Sequence, residues 1–417
     1  MLIVVGAGLT ATGAPQRVEL LYPAGNWRIA WEALAEAFNA SQDEYVVVLK
    51  AQSSPSEFMV RTVSGAPPDL VHMHRSDTAH ILNGLLEPIG GLIERDGFDL
   101  GQMFPIVLDV SYQSGAMAGG DLYDLPFAWG AVVFGYISTF FDEAGLEYPS
   151  NDWTWDDVES YASKLTLVQQ SGFSILPQRF GLWFSAAGPW TWPPLVEGWG
   201  GMLYDERIFP KETLLHEPEA IAALEFMADL ITVRRTVVPT DQLEAFSFKT
   251  GKSAMAELAP SHIGDVRESL GAMNLEWQLV AYPSGPVRQT TRLFTENLAI
   301  PRNARNVEGA WAFMKFVCGP EGQKILGTVT GIPVNIEAAA SSFVDPNTPQ
   351  HEELYLHASE YAHSFYFLVD QAAVQSMLEK EFGPVWNGRR SVQEAVEMVK
   401  PAIDAKLQAD YAALFGN

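Results

Sequence analysis

The segment from residue 18 to residue 74 alternates between two hydrophobic periods, and this alternation constrains the fold more than any other feature. Short runs rich in β-branched residues are separated by segments whose apolar residues recur every three or four positions. Strand–helix–strand–helix–strand patterning predicts an α/β fold with a parallel sheet and ligand loops at the carboxyl ends of its strands. The predicted strands are Val18–Tyr22, Tyr45–Leu49 and Asp69–His74. One predicted helix carries Trp31, Leu34 and Phe38 on its apolar face, and the other spans Ser56–Ser64.

Length and charge narrow the classes of function. A chain of 417 residues allows two or three domains, or two lobes, at roughly 100–200 residues each. Its 51 acidic and 26 basic residues give a net charge of −25, which repels phosphate backbones and anionic lipid. We therefore expect no nucleic-acid partner and no membrane-surface binding. The one cysteine, Cys318, lies in an apolar run and is expected to pack as a small hydrophobe.

The first residues resemble an export signal. Leu2–Thr10 is apolar and uncharged, and small residues follow it up to Pro15. We expect residues 1–14 to be a signal-peptide remnant whose basic start lies upstream, and the protein to be periplasmic or extracellular. A dinucleotide-binding loop is the rival interpretation of Gly6–Ala11, but Gly13 and Pro15 would stop the helix that such a loop must open.

Six further motifs, in order along the chain, resemble the extracellular sugar-binding proteins of ABC importers, the class that includes maltose-binding protein. Each motif is weak alone, and their shared order over nearly the whole chain carries the resemblance. They are Gly65–Val71 (GAPPDLV), Leu122–Pro126 (LYDLP), Trp153–Asp157 (WTWDD), Thr250–Met255 (TGKSAM), Ala310–Phe316 (AWAFMKF) with Gly319–Gln323 (GPEGQ), and Gly331–Val334 (GIPV).

The resemblance implies a two-lobed periplasmic-binding-protein fold of type II, with discontinuous lobes joined at a hinge. Lobe one would take residues 15–126 plus 290–340, and lobe two residues 127–289 plus 341–417. It further implies a monomer without a cofactor that captures a mono- or oligosaccharide between the lobes. The partners would be the carbohydrate ligand and the permease subunits of an ABC transporter.

Tryptophan supplies the main candidates for sugar binding. Sugars stack their C–H faces on aromatic rings, and their hydroxyls need polar partners on nearby loops. Trp183, Trp190 and Trp192 lie in a stretch broken by Gly188 and by paired prolines, where helical periodicity does not explain them. Trp190 also follows a proline, as an aromatic that stacks on sugar does in the maltose-binding class.

The remaining candidates come from the positions of loops and from the resemblance. The first loop is a candidate because it lies at the carboxyl end of a predicted strand, ahead of the helix. The family places contacts after the third strand, near the hinge and in a late aromatic cluster. This chain departs from the family pattern at Gly130, where an acid is usual, and at Ser261, where an aromatic is usual. The candidate ligand-binding residues are Asn26, Trp27, His74, Asp77, Trp129, His262, Glu296, Asn297 and Tyr366.

Three alternatives to a sugar-binding site are less well supported by the sequence. His72, His74 and His80 raise the possibility of a metal site, although the third spacing has no fixed geometry, and His72 is expected to face the neighbouring helix. A glycosidase needs two carboxylates across a bond, whereas the Asp156–Asp157 pair suits a helix start. A polyol phosphate, such as glycerol phosphate, needs converging cations, and the candidates Arg28, Arg75 and Arg292 are scattered. We therefore expect no bound metal and no catalysis.

Overall fold

A computed structural model describes residues 14–416 except 26, 55, 75–78, 117, 172–173, 330, 345–349 and 365. The predicted export segment lies almost entirely outside the described residues, as do Asn26 and Asp77. None of the helices in the described part of the chain has the length and apolarity that crossing a membrane requires.

Strands and helices alternate along most of the described chain, which is the predicted α/β pattern. The strands are β1 (Gln16–Tyr22), β2 (Tyr45–Ala51), β3 (Leu70–His74), β4 (Asp124–Ala131), β5 (Val133–Tyr136), β6 (Leu167–Ser171), β7 (Ser174–Trp183), β8 (Ser253–Leu258), β9 (Gln278–Val280), β10 (Thr291–Ala299), β11 (Ile332–Pro333) and β12 (Ala362–His363). The helices are α1 (Trp27–Ser41), α2 (Glu57–Val63), α3 (Ala79–Leu82), α4 (Gly90–Asp96), α5 (Pro105–Ala116), α6 (Ser138–Ala144), α7 (Trp155–Leu165), α8 (Trp192–Gly198), α9 (Pro218–Thr232), α10 (Ile263–Ala272), α11 (Val307–Cys318), α12 (Pro320–Val329), α13 (Ile336–Ala338), α14 (Glu353–His357), α15 (Gln371–Trp386) and α16 (Val392–Phe415).

The first sheet contains the three strands predicted from the opening pattern. Its strand order is β11-β4-β10-β3-β1-β2, and β12 pairs with β10. Strand β1 is parallel to both β2 and β3, so the carboxyl ends of all three lie at one edge of the sheet. Helix α1 packs against this sheet through Trp31, Leu34 and Phe38, which are all buried. The parallel α/β prediction is confirmed in this part of the chain.

The second sheet has the order β6-β7-β8-β5-β9. Strand β7 runs parallel to β8, and β5 is antiparallel to β8 with Val133 opposite Leu258. The carboxyl end of β8 therefore lies beside the start of β5, where the chain arrives from the first sheet. Helices α15 and α16 pack on α9, on the side of the second sheet. The two sheets with their helices form the predicted two-lobed architecture.

Two strands of the first sheet lead to the second and form the hinge. Strand β4 ends at Ala131 and β5 begins at Val133, so the first passage is centred on Val132. Strand β10 is antiparallel to β4 and makes the return passage. The side chain of Thr291 donates a hydrogen bond of 2.7 Å to the carbonyl oxygen of Val132, which ties the two passages together. The predicted boundary after residue 126 falls inside β4, and the division of the chain into lobes stays a prediction.

Candidate functional site

The hinge strands bring together two edges that carry polar and aromatic side chains. One edge is formed by the carboxyl ends of β1, β2 and β3, and we call it the lobe-one wall. The other is formed by the carboxyl ends of β7 and β8 with the turn after β8, and we call it the lobe-two wall. Strand β10 connects them, because Glu296 pairs with His74 at the end of β3 while Arg292 reaches Glu257 of β8.

On the lobe-one wall, a buried chain of hydrogen bonds orients Glu296. Nε1 of Trp31 donates to Nδ1 of His72 at 3.2 Å, so that Nδ1 is an acceptor. The proton of the neutral ring is then on Nε2, which lies 2.8 Å from Oε2 of Glu296 and donates to it. The His72 side chain is fully buried and Glu296 is 16% exposed. The carboxylate is therefore fixed from behind while part of it stays accessible. As expected from the sequence, His72 faces α1.

Aromatic rings enclose His72 and make the lobe-one wall rigid. Trp27, the first residue of α1, contacts the imidazole edge-on with ring centroids 5.3 Å apart, and Phe127 lies 4.9 Å away. His74, at the end of β3, is exposed. A cavity of about 440 Å³ opens on this wall. Its lining includes Pro23, Gln52, Ser53, His72 and His80.

On the lobe-two wall, two candidates from distant parts of the sequence meet at one cavity. Trp183, at the end of β7, and His262, after β8, both line a cavity of about 200 Å³. Nε1 of Trp183 donates to the carbonyl oxygen of Leu243 at 2.9 Å, which holds the half-buried indole in place. The rest of the lining mixes apolar and polar groups: Ser247, Phe248, Lys249, Ala256, Glu257, Leu258, Asp265 and Val266.

Glu257 is the buried carboxylate of the lobe-two wall. It is 3% exposed, and its Oε1 accepts a hydrogen bond of 2.7 Å from the hydroxyl of Tyr282. Its Oε2 lies 3.4 Å from Nη2 of Arg292 and makes no hydrogen bond with the described residues. The hydroxyl of Ser247, in the same cavity, is also buried without a hydrogen-bond partner in the described part of the chain. Buried polar groups normally find partners, so a ligand that the wall rearranges to admit would gain hydrogen bonds from these two.

His262 lines this cavity and is an exposed residue. Its Nδ1 accepts a weak hydrogen bond of 3.3 Å from the backbone N–H of Ala259, which leaves the proton of the neutral ring on Nε2. The packing around the ring, and next the positive charge of Arg292, lower the pKa of His262 below its ordinary value. At neutral pH the ring is an uncharged donor.

Two further candidates lie in a separate depression of lobe two. Trp190 is 42% exposed and borders this depression together with Tyr204 and Tyr366. Tyr366 is nearly buried, and its hydroxyl donates to Glu197 at 3.1 Å. Burial, and next the charge of Glu197, raise the pKa of Tyr366 well above its ordinary value. The aromatic faces available here belong mainly to Trp190.

Three candidates are buried in the lobe cores, and we leave them out of the proposed site. Trp129 is 2% exposed and donates to the carbonyl of Pro333 at 3.0 Å. Trp192 is 1% exposed, donates to the carbonyl of Ala186 and packs on the ring of Phe382. In both cases the indole N–H has a backbone partner and the ring has no open face, so packing explains the tryptophan.

Asn297 is the third candidate that is buried in a lobe core. Its side-chain amide donates to Oδ1 of Asp124 at 2.6 Å, in a buried network that also includes Ser111. At the hinge position Gly130, where the family has an acid, the ring of Phe294 occupies the space that a side chain would need. A Cβ at this position would lie 2.2 Å from that ring. No larger side chain fits at Gly130 unless Phe294 moves.

The sequence interpretation missed Glu257, Ser247 and the role of Arg292. Glu257 carried a usable signal, because it is the one charged residue in the strand Ser253–Leu258, which is buried throughout. The pairing with Arg292 carried none, since 35 positions separate two residues that meet only through the hinge. Among the described residues, no group of three or more His, Cys, Asp or Glu is placed to hold a metal ion.

Known proteins match this chain in sequence and in fold. The model of the family described as bacterial extracellular solute-binding protein matches residues 24–324. A mannitol-binding protein of Pseudomonas aeruginosa is 27% identical over 294 residues, which cover 67% of this chain and 61% of that protein. A probable amino-acid ABC transporter periplasmic-binding protein of Sinorhizobium fredii is 24% identical over 53% of this chain and 49% of its own length. The chain thus spans less than two thirds of the curated relatives it matches.

A solved structure shares the fold over almost the full length. It is an ABC substrate-binding protein of Listeria monocytogenes in complex with cycloalternan, with a TM-score of 0.78 and 19% identity. The match covers 94% of this chain and 98% of that one. Since the family model covers well over half of the residues, the chain belongs to the bacterial extracellular solute-binding protein family.

Proposed function

We propose that this protein captures a neutral mono- or oligosaccharide, or a sugar alcohol, between its two lobes and delivers it to an ABC permease. One observation carries the proposal. The lobe-two cavity places the indole of Trp183 beside a buried acceptor, Glu257, and a neutral donor, His262. An aromatic face beside fixed hydrogen-bonding groups is what a polyhydroxylated ligand requires.

Local charge favours a neutral ligand over a polyol phosphate. Of the charged groups that line the lobe-two cavity, Lys249 is paired with Asp265, and Glu257 is paired with Arg292, which lies outside the lining. His262 is the remaining ionisable group of the lining and is uncharged at neutral pH. A phosphate site needs cations without such compensation. By their names, one relative is a mannitol-binding protein and one solved structure is a complex with cycloalternan. Both of these ligands are uncharged, which supports the same class here.

The proposed cycle uses the hinge. The ligand docks on one wall, the other wall closes over it, and the closed form is recognised by the permease. Closure is driven only by contacts that exist in the closed state and not in the open one. We propose that the protein acts as a monomer outside the cytoplasmic membrane and carries out no catalysis. Release of reducing sugar on incubation with oligosaccharides would contradict the last point.

A thermal-shift screen tests the function directly. The probes are D-mannitol, D-glucitol, D-glucose, D-mannose, mannobiose and maltotriose, with glycerol 3-phosphate and phosphate as charged counterparts. A ligand at 100 times its Kd stabilises the folded state by about 2.7 kcal/mol, which raises Tm measurably. We expect at least one neutral probe to raise Tm and the phosphates to leave it unchanged. Stabilisation by glycerol 3-phosphate alone would contradict the proposal.

A further inference from the structure

Glu257 is a carboxylate on a strand that otherwise has no charge. All six residues of β8 are buried, and Glu257 is the only one of them that is ionisable. Its neighbours include the fully buried Tyr282, whose hydroxyl occupies Oε1, and the cavity lining, of which Glu257 is part. A buried carboxylate is costly unless it is paired. Its place at the cavity therefore calls for a role that a neutral residue would not fill.

Arg292 supplies the positive charge that pairs with Glu257, and it lies on a strand of the first sheet. It lies on β10, next to Thr291 at the hinge, and its side chain is 17% exposed. Its Nη1 is buried and makes no hydrogen bond with the described residues, as is true of Oε2 of Glu257. Each ion therefore keeps an unused hydrogen-bonding atom while cancelling the other's charge. Without Glu257, the guanidinium would lose the described carboxylate that compensates its charge.

We propose that Glu257 and Arg292 select the charge of the ligand. Glu257 lines the cavity, and Arg292, outside the lining, cancels the charge of its carboxylate, so the cavity takes neutral sugars or sugar alcohols and rejects sugar acids and amino sugars. The inference rests on the proposed function, because it concerns the same cavity. It adds that the two members of the pair, Glu257 and Arg292, decide between neutral, acidic and basic ligands.

The cavity also limits the size of what the pair recognises. A volume of about 200 Å³ is below the range of about 300–1,000 Å³ that is usual for drug-sized ligands. We therefore expect the charge selection to act on a single sugar unit even when the ligand is longer.

Two reciprocal variants test the inference on matched probes. Glu257→Gln keeps an amide oxygen to accept from Tyr282 and removes the negative charge. Arg292→Gln removes the positive charge instead. The probes share a six-carbon skeleton and differ in one substituent, which is neutral, acidic or basic. They form a ring series, D-glucose, D-glucuronate and D-glucosamine, and a linear series, D-glucitol, D-gluconate and D-glucamine. Binding is measured by calorimetry at pH 7 and low salt, and circular dichroism confirms that each variant is folded.

We expect each variant to gain the ligand whose charge opposes the group that remains. Relative to wild type, Glu257→Gln should improve the acid over the neutral probe by at least ~10-fold, because opposite charges attract strongly in a partly desolvated site. Arg292→Gln should improve the amine over the neutral probe in the same way. The double variant should return to the neutral preference.

The outcomes separate this inference from the proposed function. If wild type binds none of the neutral probes in the thermal-shift screen, the proposed function fails. If the folded variants rank the three charge states as wild type does, the charge selection is overturned, whichever ligand the protein prefers. Should Glu257→Gln fail to fold, the Arg292→Gln measurement with the amine decides alone.

Discussion

The two walls of the cleft hold their carboxylates in opposite ways. On the lobe-one wall, Glu296 receives a hydrogen bond from His72, which receives one from Trp31, and the whole chain is formed before a ligand arrives. On the lobe-two wall, Oε2 of Glu257 and the hydroxyl of Ser247 are buried without hydrogen bonds to the described residues. The first arrangement orients a group in advance, whereas the second leaves two buried polar atoms that a ligand can pair with only by displacing the residues that cover them.

The two walls are expected to contribute unequally to the binding free energy. A buried polar group without a partner costs about 1–3 kcal/mol, and a ligand hydroxyl that pairs with it recovers this cost. A group that is already paired offers orientation and little recovery. We therefore expect the lobe-two wall to dominate affinity and the lobe-one wall to contribute direction.

Replacing Trp183 with alanine should have the largest effect. The ring lines the lobe-two cavity, and losing an aromatic anchor typically costs more than ~1.4 kcal/mol, or at least ~10-fold in Kd. Titration calorimetry with the best neutral probe measures it. Tyr148→Ala is the matched control, since Tyr148 is an exposed aromatic of the same lobe near α6, away from the hinge. Equal affinity of Trp183→Ala and wild type would remove Trp183 from the site.

Trp190→Ala asks how far the ligand extends along lobe two. The 42% exposed ring lies in a depression apart from the cavity, so it can contact only a longer ligand. We expect about 10-fold weaker binding of a trisaccharide and less than about twofold for a single sugar. A loss of the same size for both ligands would place Trp190 in the primary site instead.

A double-mutant cycle tests the lobe-one wall. Glu296→Ala should weaken binding by about 5- to 10-fold, because hydrogen bonds to charged groups are worth about 1.5–3 kcal/mol and only part of this carboxylate is open. His72→Leu should weaken binding by a similar factor in wild type and not at all in Glu296→Ala. His72→Gln, which can still accept from Trp31 and donate to Glu296, should restore most of the affinity. Additive losses would mean that His72 does not act through Glu296.

Affinity should fall as the solution becomes acidic. The pKa of His262 is lowered in the folded protein, so the folded state favours the neutral ring. The stability that the neutral ring contributes is fully present above pH ~6.5 and is lost as pH falls through the lowered pKa. Protonation adds a positive charge near Arg292. We expect about two- to threefold weaker binding between pH 7.5 and pH 5. The pKa of His363 is lowered as well, so the comparison is made with His262→Gln, whose pH profile should be flatter.

The smallest effect belongs to the buried network behind Asn297. Burial raises the pKa of Asp124, and the hydrogen bonds from Ser111 and Asn297 only partly offset this. Ionising Asp124 in the folded state therefore lowers the free energy of unfolding. This loss is absent below the ordinary pKa of an aspartate and complete above the raised pKa of the folded state. Asp124→Asn should therefore be more stable than wild type at pH 8, by roughly 2–4 °C in Tm for each kcal/mol recovered, and less so at pH 4. Sugar affinity should not change.

Much of the fold was readable because its signals are local. The strands β1, β2 and β3 and the buried face of α1 follow from hydrophobic periods over ten to twenty residues, and the ordered motifs from Gly65 to Val334 indicated two lobes. The same reasoning singled out Trp183, His262 and Glu296 as residues for the cleft. It could not separate them from Trp129 and Trp192, because a tryptophan beside a proline has the same local pattern in a core and on a cleft.

The tertiary structure decided which of these side chains have an open face and which partners they have. Trp192 is covered by Phe382 of a helix nearly 200 positions later, and Gly130 is small because Phe294 occupies the adjacent space. The pairing of Glu257 with Arg292 exists only because β8 and β10 meet at the hinge. Composition and periodicity determine which residues are buried in each element, whereas contacts between distant segments depend on how the chain passes twice between its sheets.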